Sequence, residues 1–191
     1  MDARLQRRVQ RYGWDLAAAD YEALWQQQLA PAQRALLEAA ALSPGERVLD
    51  VACGTGLVSA AAARAVGASG QVLGIDIAEQ MVAAARRRAL PQAQFLRRDG
   101  EALDDIADAS FDVALCALGL MYLPNPERAL REMARVLCPG GRVVLAVWGE
   151  RTRCAWAPLF SIVEDEVASE VCLLFFRLDQ RETLARLCAE A

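Results

Sequence analysis

Val48-Leu49-Asp50-Val51-Ala52-Cys53-Gly54-Thr55-Gly56-Leu57 decides the fold. An apolar run of strand length passes into a turn of small residues and then into an Ala-rich stretch of helical character. Gly54 and Gly56 let the backbone approach a ligand where a Cβ would intrude. The helix that follows offers unpaired N–H groups at its start. Strand, glycine turn and helix in that order predict a ligand crevice at the carboxyl end of a sheet. A G-x-G by itself also serves ordinary turns, so the flanking pattern has to decide.

Outward from this unit, strands and helices alternate. Residues 47–51 read as a strand, 56–66 as a helix, 71–75 as a second strand ending at Asp76, and 79–89 as a helix stopped by Pro91. Residues 93–97 and 111–116 read as the third and fourth strands. A helix over 126–137 closes at Pro139-Gly140-Gly141, and 142–148 is a fifth strand. This spacing predicts right-handed βαβ units: an α/β, Rossmann-like, doubly wound sheet, mostly parallel, with helices on both faces. Upstream, Tyr12, Leu16, Tyr21, Leu24, Trp25 and Leu29 recur at loose helical spacing, so 4–30 is one or two helices. Pro31 fits the first turn of a further helix over 31–42, which Ser43-Pro44-Gly45 breaks. Residues 157–170 and 179–190 read as two terminal helices. The chain divides into an N-terminal helical cap (1–42), an α/β core (43–150) and C-terminal helices (151–191).

Three acidic residues mark strand ends. Asp50 precedes the glycines, where a carboxylate can order the loop and meet a cationic ligand group, directly or through water. Asp76 lies twenty residues past Gly56, where a carboxylate can accept hydrogen bonds from both hydroxyls of a ribose. Asp99 follows the third strand, in reach of an adenine amino group. Each alone is also at home as a helix cap or turn residue; the spaced set points to an adenosyl ligand or to NAD. The third glycine of the dinucleotide fingerprint would fall at Ser59, so G-x-G-x-x-G is incomplete.

Composition removes several function classes. The 191 residues carry 21 basic and 25 acidic side chains, a net charge of −4, and 55% hydrophobic residues. All the cations are arginine. Lysine and histidine are absent, which excludes Schiff-base lysines, imidazole bases and histidine metal sites within this chain. Nucleic acid is a poor partner on charge grounds. The six cysteines form no C-x-x-C pair, and buried reduced thiols are expected. No apolar run reaches 18 residues and no signal-type stretch opens the chain, so no membrane span and a cytoplasmic location are expected.

These residues together resemble the class I S-adenosylmethionine-dependent methyltransferases, in particular the methyltransferase-11 group related to ubiquinone and menaquinone biosynthesis enzymes. The resemblance runs from about Trp14 to Trp148. It rests on Val48–Gly56, on Gly74-Ile75-Asp76 with Met81, on Asp99-Gly100-Glu101-Ala102, on Ser110-Phe111-Asp112, and on Pro124–Leu145 with Pro139-Gly140-Gly141. It implies S-adenosyl-L-methionine as the cofactor and no metal. Asp50, Ala52, Gly54 and Gly56 would line its methionine part, Asp76 would take the ribose, and Ile77 and Met81 would pack on the adenine. Asp99 would accept from the adenine amino group, with the backbone of Gly100 and Glu101 at the ring edge. Cys116 and Ala117 would sit near the methyl donor. Ala52 stands where the wider class often has glycine; its methyl is small enough for binding to survive. Relatives also continue into two further strands, so the sheet is expected to lack its usual C-terminal hairpin.

The expected reaction is methyl transfer to a small-molecule acceptor by in-line displacement, with no catalytic residue assigned and a homodimer left open. Tyr12, Trp14 and Tyr21 would form a lid, Trp25 a core residue of the covering helix, and Leu118, Met121 and Tyr122 a wall of the acceptor pocket. Arg86-Arg87-Arg88 reads as a solvated helix face. The alternatives are an NAD-dependent oxidoreductase and a non-catalytic cofactor-binding module.

Overall fold

The computed structural model describes residues 2–167 and 174–191, without the side chains of 164, 165 and 167. Its elements run α1 (Ala3–Ala17), α2 (Tyr21–Ala40), β1 (Arg47–Val51), α3 (Leu57–Val66), β2 (Gln71–Asp76), α4 (Glu79–Arg86), β3 (Ala93–Arg97), β4 (Phe111–Ala117), α5 (Pro126–Arg135), β5 (Leu137–Ala146), α6 (Pro158–Val167) and α7 (Arg181–Glu190). The sheet order is β3-β2-β1-β4-β5, and every pairing is parallel. Strand order reverses between β1 and β4, which opens a crevice beyond their carboxyl ends.

Alternation along β1 shows why both faces are covered. Val48 joins Val72, Val113 and Leu115 in one core, against Leu36 and Ala40 of α2 and Val58 and Ala62 of α3. Leu49 and Val51 point the other way, into a core with Ile75, Ala114, Met133 of α5 and Leu187 of α7. Successive side chains on opposite faces, both buried, are the signature of a sheet sandwiched between helix layers. A third cluster, Cys53, Val82, Ala85 and Phe95, seats α4. Helix α5 carries its own start and stop signals. The Asn125 side chain accepts from the Arg128 N–H at 2.9 Å, Pro126 follows it, Glu127 lies in the first turn and Arg135 in the last.

Four expectations need correction. Pro31 does not open a helix: α2 runs through it, with Leu29 before and Leu36 after both buried, and ends with Ala41 in the left-handed conformation. Pro139-Gly140-Gly141 does not terminate α5, which ends at Arg135. It forms a bulge inside β5, where the pairing jumps from Phe111↔Leu137 to Val113↔Arg142. Trp25 is no core residue; it is 38% exposed. The thiols are not uniformly buried: Cys53 and Cys116 are, Cys138 and Cys154 are half-buried and Cys188 is exposed. Cys172 and the last three residues of the helix expected over 157–170 lie outside the described residues. No helix among the described residues is long and apolar enough to cross a membrane.

Candidate functional site

The crevice at the switch point opens into a cavity of about 770 Å³, open solvent beyond it included. Its floor is the β1 turn: Val51, Ala52 and Gly54. Asp76, Ile77 and Met81 from the β2–α4 junction form one wall, and Ala117, Leu118 and Gly119 after β4 form the opposite one. Asp99 and Gly100 close the far end. Trp14 of α1, Tyr21 of α2 and Tyr122 lie across the top, with Trp14 edge-on to both tyrosines at centroid distances of 5.9 and 5.4 Å.

Asp76 organises the turn. One carboxylate oxygen accepts from the Gly54 N–H at 2.9 Å, the other from the Ala78 N–H at 2.9 Å. The side chain is buried, and that burial pushes its pKa up against those hydrogen bonds. Asp50 lies fully buried beneath the floor. The Ser59 hydroxyl donates to its Oδ2 at 2.5 Å, and its Oδ1 has no partner. Burial raises the Asp50 pKa to about 7, with the Asp76 charge adding and the Ser59 bond opposing. The residue where a dinucleotide fold needs its third glycine is therefore a hydrogen-bonding serine. Burial and the same two aspartates push the Cys53 thiol well up and the Cys116 thiol to about 12. The floor is acidic, and among the described residues no cation pairs with its two aspartates.

Asp99 is held differently. Its Oδ1 accepts from the Glu101 N–H at 3.0 Å, while Oδ2 pairs with Nε of Arg7 at 2.8 Å. The same guanidinium reaches Glu101, whose other oxygen accepts from the Asn125 N–H at 2.8 Å. Arg7 thus straps α1 across the end of the cavity. The loop carrying Asp99 is anchored from below. Glu132 accepts from the Leu103 N–H at 3.0 Å, and Arg135 donates to the carbonyls of Leu103 and Ile106 at 2.8 and 2.9 Å.

Of the residues singled out in the sequence, Ala52, Gly54, Asp76, Ile77, Met81, Asp99 and Gly100 meet in this cavity, as do Ala117, Leu118, Trp14, Tyr21 and Tyr122. Six others do not line it. Asp50 lies below, and Gly56 packs under Ala85 and Phe95. The Glu101, Cys116 and Met121 side chains are buried in the interior, and Tyr12 is 66% exposed. Arg7 and Gln10 were not anticipated, because an arginine and a glutamine on a charged helix read as solvent-facing. The spacing Gln6, Gln10, Trp14 was the available signal. Arg88 departs from the solvated reading: its Nε donates to the Thr55 carbonyl at 2.6 Å and its guanidinium pairs with Glu22, tying the glycine turn to α2.

Comparison with known proteins agrees with this geometry. Residues 49–145 match the methyltransferase domain family. The chain is 40% identical over 118 residues to the ubiquinone/menaquinone biosynthesis C-methyltransferase of Ectopseudomonas mendocina, covering 59% of this chain and 46% of that one. It superposes on an arsenic(III) S-adenosylmethionine methyltransferase of Chlamydomonas reinhardtii with a TM-score of 0.61 and 28% identity, over 77% of this chain and 51% of that one. A similar fold occurs in an S-adenosylmethionine-dependent methyltransferase of Aquifex aeolicus, with a TM-score of 0.58, 23% identity, and 70% and 77% coverage. The chain spans about half the length of the curated relatives it matches.

Proposed function

This chain belongs to the class I S-adenosylmethionine-dependent methyltransferases, and from that premise we propose that it binds the cofactor in the cavity at the β1–β4 switch point and methylates a small apolar or aromatic acceptor. The observation that carries the reading is the Asp50 oxygen left without a partner beneath an acidic floor. A buried polar atom lacking a partner calls for a ligand group or an ordered water. An ammonium group reached through water suits it, and among the described residues no cationic side chain pairs with Asp50 or Asp76.

When bound, S-adenosylmethionine supplies a methyl group on a sulfonium already activated for displacement. The chain then has to orient, exclude water and handle at most one proton. Asp76 keeps acceptor capacity for ribose hydroxyls after its two backbone bonds. Ile77 and Met81 offer apolar surface, and Gly100 keeps the ring edge open. Trp14, Tyr21 and Tyr122, with Leu118 and Leu123, offer an aromatic and aliphatic enclosure for the acceptor. Burial lifts the Tyr21 phenol to about 12 and the Tyr122 phenol further, so both stay protonated at neutral pH and can offer a hydrogen bond but not act as a base. With no histidine in the chain, the cavity favours an acceptor atom that is nucleophilic without a strong base.

Asp50 makes the test specific. Its folded pKa of about 7 lies above the ordinary value, so its contribution to fold stability is present at low pH and is lost as pH rises through 7. A cationic ligand group reverses this preference by favouring the ionised carboxylate. Titration with S-adenosylhomocysteine, which retains the ammonium and adenosyl groups, is expected to show about tenfold tighter binding at pH 8 than at pH 6. At pH 6 it is expected to release close to one proton. No binding at either pH overturns the cofactor reading, and binding without pH dependence overturns the role of Asp50.

A further inference from the structure

Helix α1 turns its polar side to the protein and its apolar side to solvent. Gln6 and Gln10 are buried. Gln6 donates to the Tyr122 carbonyl at 3.0 Å, and Gln10 accepts from the Trp14 indole at 3.0 Å. On the outer side Leu5, Tyr12 and Leu16 are 40%, 66% and 64% exposed, with half-buried Val9 between them. Spacings of four, three and four residues put these side chains in one stripe. An ordinary surface helix buries that stripe.

Beside it runs a second row at the same spacing, Arg4, Arg8 and Arg11, all exposed. None of the three has an ion-pair partner among the described residues. With Arg97 they line a groove that adjoins the cavity, sharing Arg7, Ile77, Arg98 and Asp99 with it. The nearby carboxylates are engaged elsewhere. Asp99 pairs with Arg7, Asp105 with Arg98, Asp15 accepts from the Gln80 N–H at 2.8 Å, and Asp2 caps α1.

We propose that α1 is an interfacial helix that seats the mouth of the cavity on an anionic membrane surface. An apolar stripe flanked by free guanidinium groups is complementary to acyl chains beneath a layer of anionic headgroups. The overall charge of −4 opposes attraction to such a surface. The arginine row and the apolar stripe must therefore act together, and loss of either should release the protein. The docking brings the cavity mouth to the bilayer, where an apolar acceptor would be dissolved.

Flotation of the full chain with vesicles of phosphatidylglycerol and phosphatidylcholine, and with phosphatidylcholine alone, tests this. The protein is expected to float with the anionic vesicles only, and less at high salt. Arg4→Gln/Arg8→Gln/Arg11→Gln is expected to weaken binding roughly fivefold per arginine, about a hundredfold in all. Leu5→Ser/Leu16→Ser is expected to weaken it at least tenfold. The altered side chains are exposed, so both variants should keep the thermal midpoint and the S-adenosylhomocysteine affinity. No flotation of the unaltered chain at low salt overturns the proposal. So does flotation that the leucine variant leaves unchanged, which marks a soluble polyanion site. A dimer dissolved by the leucine variant, without vesicle binding, assigns the stripe to a second copy and likewise overturns it.

Discussion

Replacing Asp76 with asparagine is expected to lower affinity for S-adenosylhomocysteine by more than a hundredfold and to lower the melting temperature as well. Both effects trace to one buried carboxylate that accepts a backbone hydrogen bond on each of its oxygens. Its partners are the N–H groups of Gly54 and Ala78, each at 2.9 Å. An asparagine offers only one acceptor oxygen, so its amide nitrogen must face one of those donors. A buried donor left unpaired costs about 1–3 kcal/mol, which for a chain of this size is a drop of about 2–12 °C. The affinity loss is larger, because two hydrogen bonds from ribose hydroxyls to a charged acceptor are each worth about 1.5–3 kcal/mol. Asp99→Asn is the contrast. Asp99 is 29% exposed and shares its charge with Arg7, so its loss should cost the ligand far less. Equal losses for the two variants, measured by titration calorimetry, would contradict the assignment of the ribose to Asp76.

The second large effect is expected at Gly119. A Cβ there would sit 2.4 Å from the Cβ of Ala52 and 3.2 Å from Sγ of Cys116. Ala52 is itself held at φ +56, a left-handed conformation that side chains rarely adopt. The methyl that Ala52 brings into the cleft is therefore accommodated by the missing one at Gly119, on the facing wall. Gly119→Ala is expected to cost about 1–3 kcal/mol through overpacking and to narrow the cavity, lowering ligand affinity at least tenfold. Ala52→Gly alone relieves the left-handed strain and should be close to neutral. In the double variant it should restore most of what Gly119→Ala removes. A double-mutant cycle on melting temperature and affinity reads the coupling. Additive losses would show that the two positions do not share the space.

Much of the architecture was legible because the signals are local and repeated. β1 and β3 begin and end where alternation and punctuation place them, at Arg47–Val51 and Ala93–Arg97. Asp76 was legible as the last residue of an apolar run at a fixed distance from the glycines. What was hidden depends on contacts between distant segments. Pro31 looks like a helix start, yet α2 is long and buried on both sides of it, and packing overrides the lost hydrogen bond. Pro139-Gly140-Gly141 looks like a helix stop, but β5 pairs with a single strand among the described residues, and such a strand tolerates proline and a bulge. Asp50 could be singled out from its position, but its partner Ser59 and its orphaned oxygen follow from how α3 folds back onto β1. Arg7 and Arg88 look like solvated charges. One straps α1 to Asp99 and Glu101 and the other ties Thr55 to Glu22, 94 and 66 residues apart at their widest. No local pattern announces such pairings.

The strap bears on the central claim, because Arg7 holds the carboxylate that the resemblance gives to the adenine amino group. A crystal structure of the chain with S-adenosylhomocysteine tests it most directly. The expected result is the ribose on Asp76, the amino-acid end above Asp50 and Ala52, and the Arg7–Asp99 pair opened to admit the adenine. Ligand bound elsewhere, with Arg7 still on Asp99 and the space above Ala52 unchanged, would contradict the account.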